Sequence, residues 1–155
     1  MGVYVITHRI SKSGFEAKEF SQEEREAAIY QAEATLSQFE NIMLPAEHMF
    51  VPGLYFRRFE MEMDTILTGK LHTQDDGLIV ASGKVTFITK DGERVIEGPC
   101  MLTVKSMTKP ILYAHTHVVF FSAHLNLDDT RDISVIESRV VTPNSIGCKT
   151  MEVLS

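Results

Sequence analysis

The stretch ILTGKLHTQDDGLIVASG, residues 66–83, places a lysine and a histidine at alternate positions of an apolar segment. Successive side chains of a β-strand point to opposite faces of the sheet. The even-numbered side chains from Ile66 to His72 therefore share one face, and the odd-numbered ones share the other. A strand with Lys70 and His72 on one face either lies at an exposed edge or lines a pocket. We expect a pocket, with Leu71 packed on the opposite face.

Alternating runs on both sides of this stretch predict many short strands. These strands cover residues 54–63, 66–72, 78–82, 84–89, 93–97, 100–105, 111–114 and 118–125. Asp91-Gly92, between two alternating runs, is typical of a tight hairpin turn. Short strands with regular turns and almost no helix between them predict a sandwich or barrel. We expect three parts: an arm at 1–44, a β-barrel at 45–127, and a tail at 128–155 with a short helical turn after Asp132.

The arm contains a short strand at 3–7 and then one amphipathic helix. Ser21 followed by Glu24 forms a capping box, which predicts a helix from about residue 22 to 42, and Pro45 ends it. Apolar and small side chains recur at helical spacing, at Ala28, Ala32, Thr35, Leu36, Phe39 and Met43, with Glu33 on the opposite, solvated face. Such a stripe needs a covering surface, so we expect a homo-oligomer, most simply a dimer, formed through this helix.

Composition excludes several classes of protein. The chain has 155 residues, the size of one domain, with 44% hydrophobic and 23% charged residues, as in globular proteins. A net charge of −6 with dispersed lysines and arginines argues against a nucleic-acid partner. We expect no membrane partner and a cytoplasmic location, since neither a membrane-spanning run nor a signal-peptide layout is evident. Cys100 and Cys148 lack metal or disulfide-framework spacing, which favours a reducing compartment.

The stretch at residues 66–83 resembles the first signature of the cupin barrels. His72 stands where that signature has its second histidine, Asp76 where it has its glutamate, and Gly83 where it has its closing glycine. Lys70 replaces the first histidine, and Pro110 occupies the final histidine position of the second signature. The resemblance implies an all-β fold with an N-terminal helix, a cupin-like double-stranded β-helix, or jelly-roll barrel.

The surrounding sequence is similar to small cupin-like proteins of bacteriophages and prophages, a group with no settled activity. The similarity runs through Glu47-His48, Tyr55-x-Arg57, Lys70-x-His72 and Tyr113-Ala114-His115. It implies a phage or prophage origin, with host cytoplasm as the location, and supplies architecture rather than a reaction.

A cupin metal centre requires about three imidazoles and a carboxylate around one ion. Because Lys70 and Pro110 replace two of the four ligands, we expect no tightly bound metal and no other cofactor. If a divalent metal binds, its ligands would be His72, Asp76 and His124, which lies on the inward face of the last strand.

Lys70 has two interpretations. Either it pairs with Asp76 or Glu62, or it presents a cation to an anionic ligand, together with His72 and Arg57. The candidate ligand-binding residues are Arg57, Lys70, His72, Asp76, Tyr113 and His124, with Glu47 and His48 as an acid–base pair before the barrel. We expect a protein that binds a small polar or anionic molecule in its barrel. The alternatives are a metal-dependent cupin enzyme (isomerase, lyase or dioxygenase) and a structural or protein-interaction module.

Overall fold

A computed structural model describes residues 2–5, 20–38 and 42–142. The strands are β1 Gly2–Val5, β2 Ile42–Met43, β3 Ala46–Val51, β4 Gly53–Met61, β5 Thr65–Thr68, β6 Asp76–Ser82, β7 Lys84–Thr89, β8 Gly92–Glu97, β9 Cys100–Val104, β10 Ile111–Ala114 and β11 Val118–Asn126. The helices are α1 Gln22–Leu36 and α2 Ile133–Val140.

The strands form two antiparallel sheets with the connectivity of a jelly roll. Their orders are β2-β1-β5-β10-β7-β8 and β3-β4-β11-β6-β9. When the eight strands from β4 to β11 are numbered one to eight, these orders contain 2-7-4-5 and 1-8-3-6. Consecutive strands thus alternate between the sheets, except for the β7–β8 hairpin within one sheet, in two interlocked Greek keys, which defines the jelly roll. The predicted jelly-roll barrel is confirmed.

Side-chain alternation places the core between the two sheets. On β4 the odd-numbered side chains from Tyr55 to Met61 are buried, while the even-numbered ones face outward. Phe59 is paired with Phe120 of β11, and Phe120 with Val80 of β6, so one buried row crosses three strands. A shift of one residue would turn this row to the surface, so the hydrophobic pattern fixes the register.

The strand that opens the stretch at residues 66–83 is shorter than predicted. β5 ends at Thr68 because the Gly69 N–H donates to the Pro110 carbonyl at 2.8 Å, while Pro110 has no N–H to continue the ladder. A Cβ atom at position 69 would lie 2.8 Å from the Pro110 ring, so only glycine allows this approach. The prediction that Leu67 lies on the face opposite the pocket is also wrong, because its side chain is 1% exposed and belongs to the core.

The other predicted strands of the barrel begin and end within two residues of their predicted limits, whereas the end of the arm differs more. β7 and β10 have the predicted limits, and β7 and β8 form the predicted hairpin, closed by Thr89 and Gly92. The predicted helix to residue 42 is too long, because α1 ends at Leu36 and the strand β3, which was not predicted, begins at Ala46. The helical turn of the tail is a full helix, α2, capped by the Asp132 side chain.

The helix α1 lies on its own barrel through a face that shares Leu36 with the predicted stripe but leaves Ala28 and Thr35 exposed. Ile29 and Leu36 are its buried apolar side chains, whereas Ala28 is exposed. Glu33, predicted to be solvated, has a side chain only 13% exposed, with its Oε2 2.8 Å from the Nζ atom of Lys109. The Lys109 Nζ atom also donates to the Gly69 carbonyl at 3.0 Å and lies 5.5 Å from the Tyr30 ring centroid.

Within the stripe, Thr35 is exposed and Ala32 is half-buried. Phe39 and the side chain of Met43 lie outside the described residues. No helix in the described ranges is long and apolar enough to cross a membrane.

We expect Lys109→Met to destabilise the protein by about 3 kcal/mol, because it leaves the largely buried Glu33 carboxylate without its partner. The matched control is Lys105→Met, since Lys105 pairs with Asp75 in solvent and should change stability by less than about 1 kcal/mol. Urea unfolding midpoints measure both changes. Equal midpoints for the two variants would contradict an anchoring role for Lys109.

Candidate functional site

A cavity of about 100 Å³, partly open to solvent, lies between the two sheets of the barrel. One part of its wall is apolar and includes Phe59, Leu67, Leu78, Phe87, Val104, Leu112, Ile136 and Val140. The polar residues in its wall are Arg57, Lys70, His72, Asp76, Ser122, His124 and Glu137. A largely apolar cavity with a few convergent polar groups is the usual form of a small-molecule site.

A buried carboxylate, Asp76, holds two imidazole rings. Its Oδ2 atom lies 2.7 Å from Nδ1 of His72, and its Oδ1 atom lies 2.8 Å from Nδ1 of His124. The Asp76 side chain is 2% exposed, so water does not compete for these contacts. An ionised carboxylate only accepts hydrogen bonds, so each ring donates from Nδ1. In the neutral rings this leaves Nε2 as the acceptor atom.

The ionisation of Asp76 reflects two opposing effects. Burial raises the pKa of this carboxyl, but the hydrogen bonds from His124 and His72 lower it by more, so its net pKa lies below the ordinary value. Asp76 is therefore ionised at neutral pH and fixes the orientation of both rings.

Ser122 completes a chain of hydrogen-bonding groups with His124. Ser122 and His124 are two residues apart on β11, so their side chains share the face toward the cavity. The Ser122 hydroxyl lies 3.1 Å from Nε2 of His124. Sequence reasoning did not select Ser122 as a functional residue. The available signal was its position two residues before a histidine on the inward face of a strand.

A second polar network surrounds the buried Tyr55. Its hydroxyl lies 2.7 Å from Nδ1 of His48 and 3.2 Å from Nε of Arg57, and its ring stacks on His124 with centroids 5.8 Å apart. Arg57 also donates from Nη2 to Glu137 at 2.8 Å. Burial, and then the charge of Arg57, lower the pKa of His48 below its ordinary value.

The helix α2 forms part of the cavity wall. Ile136 and Val140 are buried against Tyr55. The backbone after the helix is tied to the segment after β5, since the Thr73 N–H donates to Val140 and the Thr142 N–H donates to Leu71. Sequence reasoning missed Glu137, whose partner Arg57 is 80 residues away along the chain.

Lys70 lines the cavity and is half-buried. The pairing with Asp76 considered from the sequence does not form, because both carboxylate oxygens of Asp76 are occupied by the two imidazoles. Glu62 is exposed and lies near His117 instead. Within the described part of the chain, the Lys70 ammonium has no ion-pair partner.

Not all predicted site residues meet at the cavity. Tyr113 donates its hydroxyl to Asp64 at 2.7 Å, which raises its pKa, and it does not line the cavity. Glu47 points outward on β3 and accepts from Arg58. His48, its sequence neighbour, points inward and reaches the Tyr55 hydroxyl, so strand alternation separates the expected acid–base pair.

The residues do not fit a cupin metal centre. Among the described residues, no group of three or more histidine, cysteine, aspartate or glutamate side chains converges to hold a metal ion. Lys70 and Pro110 take two of the positions implied by the family resemblance. His72, Asp76 and His124 are close together, but both oxygens of Asp76 accept hydrogen bonds from the two rings, which leaves only the two Nε2 atoms as candidate ligands.

The strand order and the cavity between the two sheets are those of a jelly roll. The chain has the double-stranded β-helix fold. No protein-family model matches the sequence, and no curated protein matches it.

Similar solved structures include a cupin 2 domain-containing protein from Halorhodospira halophila, with 14% identity, 57% of this chain and 68% of that chain covered, and a TM-score of 0.49. An RmlC-like cupin family protein from Methanocaldococcus jannaschii has 11% identity, with 54% of this chain and 80% of that chain covered, and a TM-score of 0.47. A protein from Neisseria meningitidis has 14% identity, with 59% of this chain and 93% of that chain covered, and a TM-score of 0.48. Likeness at this level concerns the fold alone.

We expect Asp76→Asn to lower stability at neutral pH by about 1–3 kcal/mol, because an amide cannot accept from both imidazoles. The folded pKa of Asp76 is depressed, so its contribution is fully present above about pH 4 and is lost as pH falls through that pKa. The difference from the parent protein should therefore shrink in acidic buffer. Urea midpoints across pH measure it, with Asp91→Asn, at an exposed aspartate of the β7–β8 turn, as the control. A pH-independent difference would contradict the assignment.

Proposed function

We propose that the barrel cavity binds a small organic anion, with its charged group at Lys70 and its apolar part against the cavity wall. The observation that carries the proposal is the unpaired ammonium of Lys70 among the described residues, at the wall of a largely apolar cavity. A cation beside apolar surface is poorly solvated and favours a nearby negative charge.

The charge balance of the cavity supports this assignment. The guanidinium of Arg57 is neutralised by Glu137 at 2.8 Å, with both side chains largely buried. The charge of Asp76 is met by the N–H groups of His72 and His124. Lys70 thus adds a positive charge that no described side chain offsets, so an anionic ligand completes the balance.

The size of the cavity limits the ligand. A cavity of about 100 Å³ is smaller than the engineered cavity of about 150 Å³ that accommodates benzene. The side chains of Leu67, Phe87 and Leu112 form one wall of it. A short-chain carboxylate has both the charge and the apolar body that this cavity accommodates.

Two alternative functions from the sequence remain, a metal-dependent enzyme and an interaction module. The phage or prophage origin remains a prediction. The metal-dependent enzyme is the less favoured of the two functions because both oxygens of Asp76 accept from the imidazoles, which leaves only the two Nε2 atoms as candidate ligands.

Heteronuclear NMR titration with acetate, butyrate and hexanoate, and with the corresponding neutral amides, tests the proposal. We expect at least one carboxylate to bind about tenfold more tightly than its amide, equivalent to about 1.4 kcal/mol. Lys70→Met, which keeps the apolar stem, should remove this preference. Lys84→Met, at an exposed lysine outside the cavity, should retain it.

Equal affinities for acid and amide in the parent protein would contradict the proposal. So would a carboxylate preference that survives in Lys70→Met.

A further inference from the structure

The hydroxyl of Ser122, the imidazole of His124 and the carboxylate of Asp76 form one continuous hydrogen-bonded series. The distances are 3.1 Å from Ser122 Oγ to His124 Nε2 and 2.8 Å from His124 Nδ1 to Asp76 Oδ1. Both lie in the range in which a nucleophile is activated by a base that a third group orients. We propose that Ser122 is a nucleophile and that the cavity hydrolyses small acyl esters.

Each group has a defined role in this proposal. Asp76 holds His124 with its proton on Nδ1, which leaves Nε2 to accept the proton of Ser122. His72 binds the second oxygen of Asp76 and keeps the carboxylate in place. The His124 and Asp76 side chains are 7% and 2% exposed, so their geometry is held within the protein.

The reaction proceeds in two balanced steps. The Ser122 oxygen forms a bond to the acyl carbon while its proton passes to His124 Nε2, and the bond from that carbon to the alcohol oxygen breaks as the alcohol takes this proton. Water then attacks the acyl-serine, loses a proton to His124, and releases the carboxylic acid as Ser122 recovers its hydrogen.

Charge development in the reaction is matched by a neighbouring cation. Arg57 is directly paired with Ser122 across β4 and β11, and opposed side chains have Cβ atoms about 5 Å apart. Arg57 uses Nε on the Tyr55 hydroxyl and Nη2 on Glu137, so its Nη1 group is the donor that we assign to the negative oxygen of the tetrahedral intermediate. The product is a small carboxylate, the class of ligand proposed for Lys70, so the inference rests on the proposed function for its substrate class.

Labelling with a fluorophosphonate probe, followed by peptide mass spectrometry, tests the nucleophile. We expect a single adduct on Ser122 that is absent in Ser122→Ala. Labelling should be at least about a hundredfold slower in His124→Gln, in line with the loss of a general base. Ser138→Ala, at an exposed serine of α2, should be labelled at the parent rate.

The rates of hydrolysis of p-nitrophenyl acetate and butyrate should rank the variants in the same order as the labelling rates. Urea unfolding of each variant shows that it is folded under the assay conditions. Absence of an adduct on the folded parent protein would overturn the proposal, as would equal labelling of Ser122→Ala. If the protein binds carboxylates but Ser122 is not labelled, the nucleophile proposal is wrong and the proposed anion site stands. If Ser122 is labelled but carboxylates are not preferred over amides, the proposed anion site is wrong and the nucleophile proposal stands.

A different observation concerns the outer face of the five-stranded sheet. Exposed apolar side chains there are Met49 (53%), Val51 (37%), Leu54 (37%), Met101 (80%) and Leu125 (58%). Val51, Leu54 and Leu125 are neighbours across three paired strands. We infer that this face, which we call the outer apolar face, binds a second copy of the chain.

Charge and area both favour a second copy as the occupant. Arg58 on this face pairs with Glu47 and Glu60 within the same chain, so its cation is already matched without a partner. The five strands of this sheet have five to nine residues each. At about 3.4 Å per residue and about 4.8 Å between strands they offer up to about 600 Å², at the lower end of the roughly 600–1,000 Å² per partner of a stable complex. Two such faces meet as stacked sheets around a two-fold axis.

Sedimentation velocity at micromolar concentrations tests the assembly. We expect a dimer that Leu125→Lys converts to a monomer. Val95→Lys, at an exposed apolar residue of β8 in the other sheet, should leave the dimer intact. A monomeric parent protein, as expected if another segment of the same chain covers the face, would overturn the inference. A dimer unaffected by Leu125→Lys would also overturn it.

Discussion

The buried carboxylate of Asp76 is the interaction on which the cavity depends. It joins three parts of the chain, because Asp76 begins β6, His124 lies on β11 and His72 lies in the segment after β5. A buried ionised group is tolerated only when it is fully hydrogen-bonded, and the two imidazoles meet that requirement. The same contacts fix the tautomers of both rings and so determine which nitrogen atoms are available to a ligand.

Charge pairing elsewhere in the barrel follows the same physical rule, with one exception. Arg57 is matched by Glu137 and Lys109 by Glu33, so these cations hold α2 and α1 in place. Lys70 alone, among the described lysines and arginines that line the cavity, has no matching acid. This difference separates charges with a structural role from a charge suited to ligand binding.

The sequence predicts those features that depend on local pattern. Alternation and the glycine turn identify the β7–β8 hairpin, and alternation places His124 inside the barrel. The sequence does not predict the end of β5, because the position of that end depends on Pro110 lying beside Gly69. The roles of Glu137 and Lys109 also depend on partners far along the chain, and the sequence gives no register for such pairs. Tertiary contacts therefore decide which of several plausible polar residues form the site.

The most direct test of this account is the tautomeric state of the two imidazoles, measured by long-range proton–nitrogen NMR correlations at neutral pH. The account predicts that neutral His72 and His124 both carry their proton on Nδ1, donated to Asp76. Protons on Nε2 of both rings would show that Asp76 does not hold them as described, and would contradict the proposed organisation of the cavity.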